Sequence, residues 1–209
     1  MQSDIKRIGA LMISVIASVS LIWIFISSLL FPEKNVNFII NTGMLIFIFE
    51  FLSVHSSVMI IGIQQSPKKM FWLKVGLFSF YFLFVTVVAL VESNWFFLFL
   101  FLSSLATKIF LNKAVDRSIM SILTPFIYVA LLLISVSIVC SFPHFFEIIF
   151  PFPAEIMQTL TESGSTGLFI EVPQTLLSWG ALYYSLSLIV NLIIFFVARR
   201  TKIEQPVLK

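Results

Sequence analysis

Long apolar runs broken by short polar clusters organise the chain from end to end. The first runs from Ile8 to Phe31 and stops at Pro32-Glu33-Lys34. The second runs from Phe38 to Ile63 and stops at Gln64-Gln65-Ser66-Pro67-Lys68-Lys69. Four more cover Met70 to Val91, Trp95 to Leu111, Ile119 to Ser141 and Leu176 to Ala198. A helix needs roughly 20 apolar residues to cross the hydrocarbon of a bilayer, and each run is about that long. No run alternates residue by residue as a barrel strand does, and a helix satisfies its own backbone polar groups within the segment. The pattern therefore predicts an all-α membrane protein. About six transmembrane helices form one bundle, a single polytopic domain over 1–209, with a long outer connection between spans 5 and 6.

Composition leads to the same class. With 59% hydrophobic and 11% charged residues in a chain of 209, the apolar surface exceeds what one soluble core hides. The mean hydropathy is +1.07. The basic start, Lys6-Arg7, resembles the head of a signal peptide. The apolar run behind it is too long for a signal core and lacks a cleavage site, so it reads as a retained first helix.

Charge orients the bundle. With the N terminus inside, twelve of the 13 Lys and Arg residues fall on the cytoplasmic side and Lys34 alone falls outside. Glu33, Glu92, Glu147, Glu155, Glu162 and Glu171 all fall outside. This positive-inside bias predicts an even number of spans and cytoplasmic N and C termini, in a bacterial inner membrane. Five or seven spans would put a basic cluster on the wrong side. The net charge of +3 follows from that topology and does not point to nucleic acid. The expected partners are the lipid bilayer and either further copies of the chain or a partner membrane protein. Lys74 and Lys108 lie just inside their spans, from where each can snorkel to the interface. Trp72, Trp95 and Trp179 sit near span ends, as an aromatic belt places them, and Trp23 lies deeper.

The connection over 142–175 has no Lys or Arg and carries His144 and four glutamates. His144-Phe145-Phe146-Glu147-Ile148-Ile149-Phe150 is amphipathic enough to lie at headgroup level. Pro153 is placed to open a helix over Ala154 to Thr161, with Glu155 in its first turn. Ser163-Gly164-Ser165-Thr166-Gly167 reads as a turn, and Leu168 to Val172 as a short extended or re-entrant piece. The segment reads as a lid or surface cap on the bundle, and its carboxylates form no metal motif.

The sharpest chemistry lies inside the spans. Glu50 sits near the middle of span 2, where insertion scales charge a carboxylate about 2.5–3.5 kcal/mol, so it should be protonated or paired and face the bundle. Ser53 and Ser57 share its helical face. His55 lies roughly 140° around the helix and belongs to a different neighbour. Gly180, Tyr184, Ser187 and Asn191 form a small-and-polar face on span 6, and Ala10, Ser14 and Ser18 a close-packing stripe on span 1. Thr124-Pro125 offers a kink in span 5. Depth groups Glu50, His55, Lys108 and Asn191 into one candidate polar cluster, from mid-membrane toward the cytoplasm. Such a cluster either holds helices together or serves as a relay or gate.

Several chemistries lack their residues. Asp4 and Asp116 are the only aspartates and both lie at membrane edges, which removes intramembrane aspartyl proteolysis. His55 and His144 lie too far apart to share a haem, and Cys140 is the only cysteine. No nucleophile elbow, Walker, zinc or redox motif is present. No catalytic, cofactor-binding or metal residue is assigned, and no cofactor is specified. The leading expectation is a non-enzymatic membrane component, an oligomeric sensor, anchor or accessory subunit that acts with a partner. The alternatives are a small channel or proton-coupled transporter using Glu50 and His55, and a membrane enzyme or haem protein using His55.

Overall fold

The computed structural model describes residues 2–64, 71–91, 98, 102, 119–162 and 168–203. Helix α1 covers Gln2–Leu30, α2 Gly43–Gln64, α3 Phe71–Val91 and α4 Ile119–Ser141. Three short helices follow: α5 over Pro143–Ile149, α6 over Ala154–Glu162 and α7 over Leu168–Glu171. The last, α8, covers Pro173–Ile203. The described residues contain no strand. Among the described residues three helical stretches are long and apolar enough to cross a membrane: Leu11–Leu30 in α1, Leu123–Ser141 in α4 and Pro173–Phe196 in α8. The run expected over 95–111 lies outside the described residues, apart from Leu98 and Leu102, and so does the turn expected over 163–167.

Local chemistry sets the element ends. α1 ends at Leu30, and Pro32, which lacks a backbone N–H, opens a 3₁₀ turn over Pro32–Asn35. The Asn35 side chain then donates to the Ser27 and Phe31 carbonyls at 3.3 and 3.1 Å. Carbonyls at a helix C-terminus have no partner in their own helix, and Asn35 supplies one. A π-turn over Phe38–Thr42 leads into α2. At the other end of the chain Pro173 occupies the first turn of α8, where the missing N–H costs nothing. This places the start three residues before the apolar run at Leu176, because Gln174 and Thr175 lower the hydropathy without opposing the helix.

α8 is the central strut. It packs most extensively on α1, then on α4, with α2, α5 and α7 also against it. Along α1 and α8 the numbering runs in opposite senses: Ser14 meets Asn191 and Phe25 meets Gly180. Along α2 and α8 it runs in the same sense: Gly43 lies by Leu176 and Glu50 meets Tyr183. α1 and α8 are thus antiparallel, and α2 and α8 parallel.

The core collects where these helices meet the short helices between α4 and α8. Every residue from Pro173 to Gly180 is buried, so the first two turns of α8 are enclosed on all sides. Ile156 and Leu160 of α6 and Phe169 of α7 belong to the same cluster. α6 begins as expected, with the Pro153 carbonyl accepting from the Ile156 and Met157 amides. The stretch 168–172 differs from the extended reading, since Leu168–Glu171 forms one helical turn. Strand geometry gains its hydrogen bonds only from a neighbouring strand, and the described residues offer none. Trp179 also departs from its belt assignment: it is fully buried, in contact with Phe25, Phe47 and Tyr183. Trp23 and Trp72 are exposed.

Candidate functional site

The polar groups that span helices must bury are gathered on α8. Its face carrying Gly180, Tyr184, Ser187 and Asn191 is buried along its length. Gly180 creates the closest approach, for a Cβ there would lie 2.4 Å from the Phe25 ring. The bare backbone lets Phe25 fill the gap between α1 and α8. Phe25 in turn stacks on Tyr184 at 5.9 Å and meets Trp179 edge-on at 6.3 Å. Trp179 stacks on Tyr183 at 5.4 Å. The two tyrosines are therefore held by rings on one side and free to use their hydroxyls on the other.

Both hydroxyls point to Glu50. Tyr183 donates to its Oε1 at 2.7 Å, and the Tyr184 hydroxyl lies 3.5 Å from its Oε2. Glu50 is only 7% exposed, and Ser53, one turn further along the same face of α2, is buried too. Tyr183 and Tyr184 stand at the middle of the apolar stretch Pro173–Phe196, so the carboxyl lies at its mid-depth. A carboxyl at such depth is tolerable only with partners of this kind.

A second set lies nearer the N-terminal end of α1. Tyr128 of α4 donates to Asn191 Oδ1, and Asn191 Nδ2 donates to Ser14 Oγ at 3.0 Å. One asparagine thus joins α4, α8 and α1. Asn191 follows Tyr184 by seven residues on the same face of α8. Together the two sets tie α1, α2 and α4 to α8 through side chains alone. Thr124 and Pro125 of α4 are buried a turn below Tyr128.

Of the four residues grouped by depth, Glu50 and Asn191 are both buried and belong one to each of these two sets. Glu50 is paired with Tyr183 and Tyr184, and Asn191 with Tyr128 and Ser14. His55 is exposed, its ring parallel to that of Phe51 on the same helix at 6.2 Å, and it stands apart from the Glu50 set. The angular offset of roughly 140° from Glu50 carries it out of the bundle. Lys108 lies outside the described residues.

Tyr128 and Tyr183 were not singled out by sequence. Tyr183 neighbours the small-and-polar face without belonging to it, and Tyr128 stands one turn beyond the Thr124-Pro125 pair. The usable signal is that three of only four tyrosines fall inside spans 5 and 6, where a phenol needs a partner.

Chemically, this is a carboxyl with two phenolic neighbours, and beside it a tyrosine–asparagine–serine set. Among the described residues no group of three His, Cys, Asp or Glu is placed to hold a metal ion. Comparison of the chain with protein-family models, with curated proteins and with solved structures returned no match.

Proposed function

We propose that the protein is a polytopic membrane component without catalysis of its own, a sensor, anchor or accessory subunit that works as an oligomer or with a partner membrane protein. The observation that carries this reading is the use of the buried polar groups. Glu50, Tyr183 and Tyr184, with Tyr128, Asn191 and Ser14, are engaged with one another across α1, α2, α4 and α8. Groups arranged so act as a joint between helices. The joint also has two states. A charged Glu50 accepts from both phenols, whereas a protonated Glu50 accepts from Tyr183 and donates to Tyr184. A proton at this one site resets the hydrogen bonds between α2 and α8, which is the kind of change a membrane sensor transmits to a partner.

The proposed topology is six spans in a bacterial inner membrane with both termini in the cytoplasm. α2 and α3, with 22 and 21 residues, are also long enough to cross. The antiparallel run of α1 and α8 and the parallel run of α2 and α8 fit an alternating path with an even number of crossings.

The test is native mass spectrometry of the protein gently extracted from its host membrane. A homo-oligomer, or a complex with another membrane chain, supports the proposal. A monomer carrying haem, a metal or a defined small molecule overturns it.

A second reading, proton-coupled transport, is favoured by the mid-depth position of Glu50. It requires pH-driven flux in sealed vesicles that Glu50→Gln abolishes. His55, the second residue of that reading, is exposed and stands apart from Glu50.

A further inference from the structure

α5 stands at the point where α4 leaves its apolar stretch. That stretch ends at Ser141, and α5 starts at Pro143 after a break at Phe142, whose φ and ψ are −133° and 50°. At about 100° per residue, Phe145, Ile148 and Ile149 share one flank of α5, while His144 and Glu147 lie on the other. Phe146 falls between them on the side of the bundle, where it packs on the core.

Each of the three sectors meets a different environment. The apolar flank is exposed, with Ile148 at 79%. The polar flank is exposed as well, and its two ionisable groups pair with each other, His144 Nδ1 to Glu147 Oε2 at 3.3 Å. The inner sector is tied down: Gln174 of α8 donates to the Phe150 carbonyl at 3.2 Å, just past the end of α5. Its apolar flank follows, after the break at Phe142, on an α4 whose Leu133, Ile134 and Ile138 are exposed as well.

We infer that α5 is an interfacial helix whose Phe145–Ile148–Ile149 flank docks into the acyl-chain region of the outer leaflet. The occupant is phospholipid hydrocarbon. The helix starts two residues after an apolar stretch long enough to cross a membrane, which puts it at the membrane boundary, and its large apolar side chains match what interfacial helices insert. Headgroup charge has no role, because α5 has no Lys or Arg and its His144 is paired with Glu147. The contact joins the outer leaflet to the first turn of α8 through Gln174, and α8 carries the tyrosines that grip Glu50. The inference rests on α4 crossing the bilayer.

The experiment uses the full chain with Cys140→Ser, reconstituted in phosphatidylcholine vesicles. A nitroxide is attached through Phe145→Cys, Ile148→Cys, Glu147→Cys or, in mid-α4, Leu133→Cys; the replaced side chains are all exposed. Collision rates with oxygen and with a water-soluble nickel chelate report lipid against water. The ratio of oxygen to nickel access at 145 and 148 is expected several-fold above that at 147, and below that at 133. Water-like access at 148 with lipid-like access at 133 would show that α4 crosses and α5 does not dock, leaving its flank for solvent or a protein partner. Water-like access at both positions would remove the crossing of α4 and the inference with it. Adding phosphatidylglycerol should leave the ratios unchanged. Lipid-like access only in its presence would replace hydrocarbon docking by electrostatic adsorption.

Discussion

Glu50 shows how a single polar residue is made tolerable at mid-membrane, and its substitutions separate hydrogen bonding from charge. Glutamine keeps an acceptor for Tyr183 and gains a donor for Tyr184, so Glu50→Gln should cost less than about 1 kcal/mol, the scale of interhelical hydrogen bonds in membranes. Leucine fills a similar volume but leaves two buried phenols unpaired, and Glu50→Leu should cost about 1–3 kcal/mol. Unfolding of the purified protein in detergent measures both. Equal losses for the two variants would mean that the phenols do not depend on this partner. The Tyr128–Asn191 bond is open to a double-mutant cycle with Tyr128→Phe and Asn191→Leu. A coupling of about 0.6 kcal/mol is typical of interhelical bonds and about 1.7 is the upper end. A coupling of zero would remove Asn191 as the link between α4 and α8.

At the scale of helices, two glycines make similar close approaches with different tolerance. A Cβ on Gly180 would sit 2.4 Å from two carbons of the Phe25 ring and 2.5 Å from a third, and that ring is enclosed by Phe38, Trp179 and Tyr184. Nothing there gives way cheaply, so Gly180→Ala should push α1 from α8 and cost about 1–3 kcal/mol. Phe25→Leu should recover part of the loss in that background. A Cβ on Gly43 would sit 3.2 Å from Leu176 Cδ2, a terminal methyl that can shift. Gly43→Ala should stay within about 1 kcal/mol of the parent, helped by the better helix propensity of alanine. Thermal unfolding of the two variants tests the contrast, and an equally mild Gly180→Ala would show that Phe25 is free to move. These helices were legible in sequence wherever hydropathy alone defines them: the run from Ile119 to Ser141 is α4 residue for residue, and α3 begins one residue after the run from Met70. Where a polar side chain and the backbone pull apart, the boundary shifted, as at Gln174 and Thr175 in the first turn of α8. Within the site, Glu50 and Asn191 were legible because buried polar groups in an apolar run are rare. Their tyrosine partners were not, since a phenol in an aromatic-rich span looks like packing. His55 misled because similar depth does not fix which way a side chain faces around its helix.

For the whole molecule, relative helix direction makes a prediction that hydropathy cannot. α1 and α8 run antiparallel, since Ser14 meets Asn191 and Phe25 meets Gly180. If both cross the bilayer, the start of α1 and the end of α8 emerge on the same face. The Lys and Arg distribution then chooses the cytoplasm for that face, because α1 starts with Lys6-Arg7 and α8 ends with Arg199-Arg200. The turn after α1 and the α5–α7 connection before α8 fall on the opposite face. In a Cys140→Ser background, cysteines replacing Lys34 and Glu155 should react with a membrane-impermeant maleimide on intact cells. Cysteines replacing Ser3 and Lys209 should react only after permeabilisation. Labelling of Lys209→Cys but not Ser3→Cys from outside would require an odd number of crossings. α1 and α8 would then run the same way in every copy, which would overturn their antiparallel pairing, and the crosslink between Ser14→Cys and Asn191→Cys expected within one chain would not form.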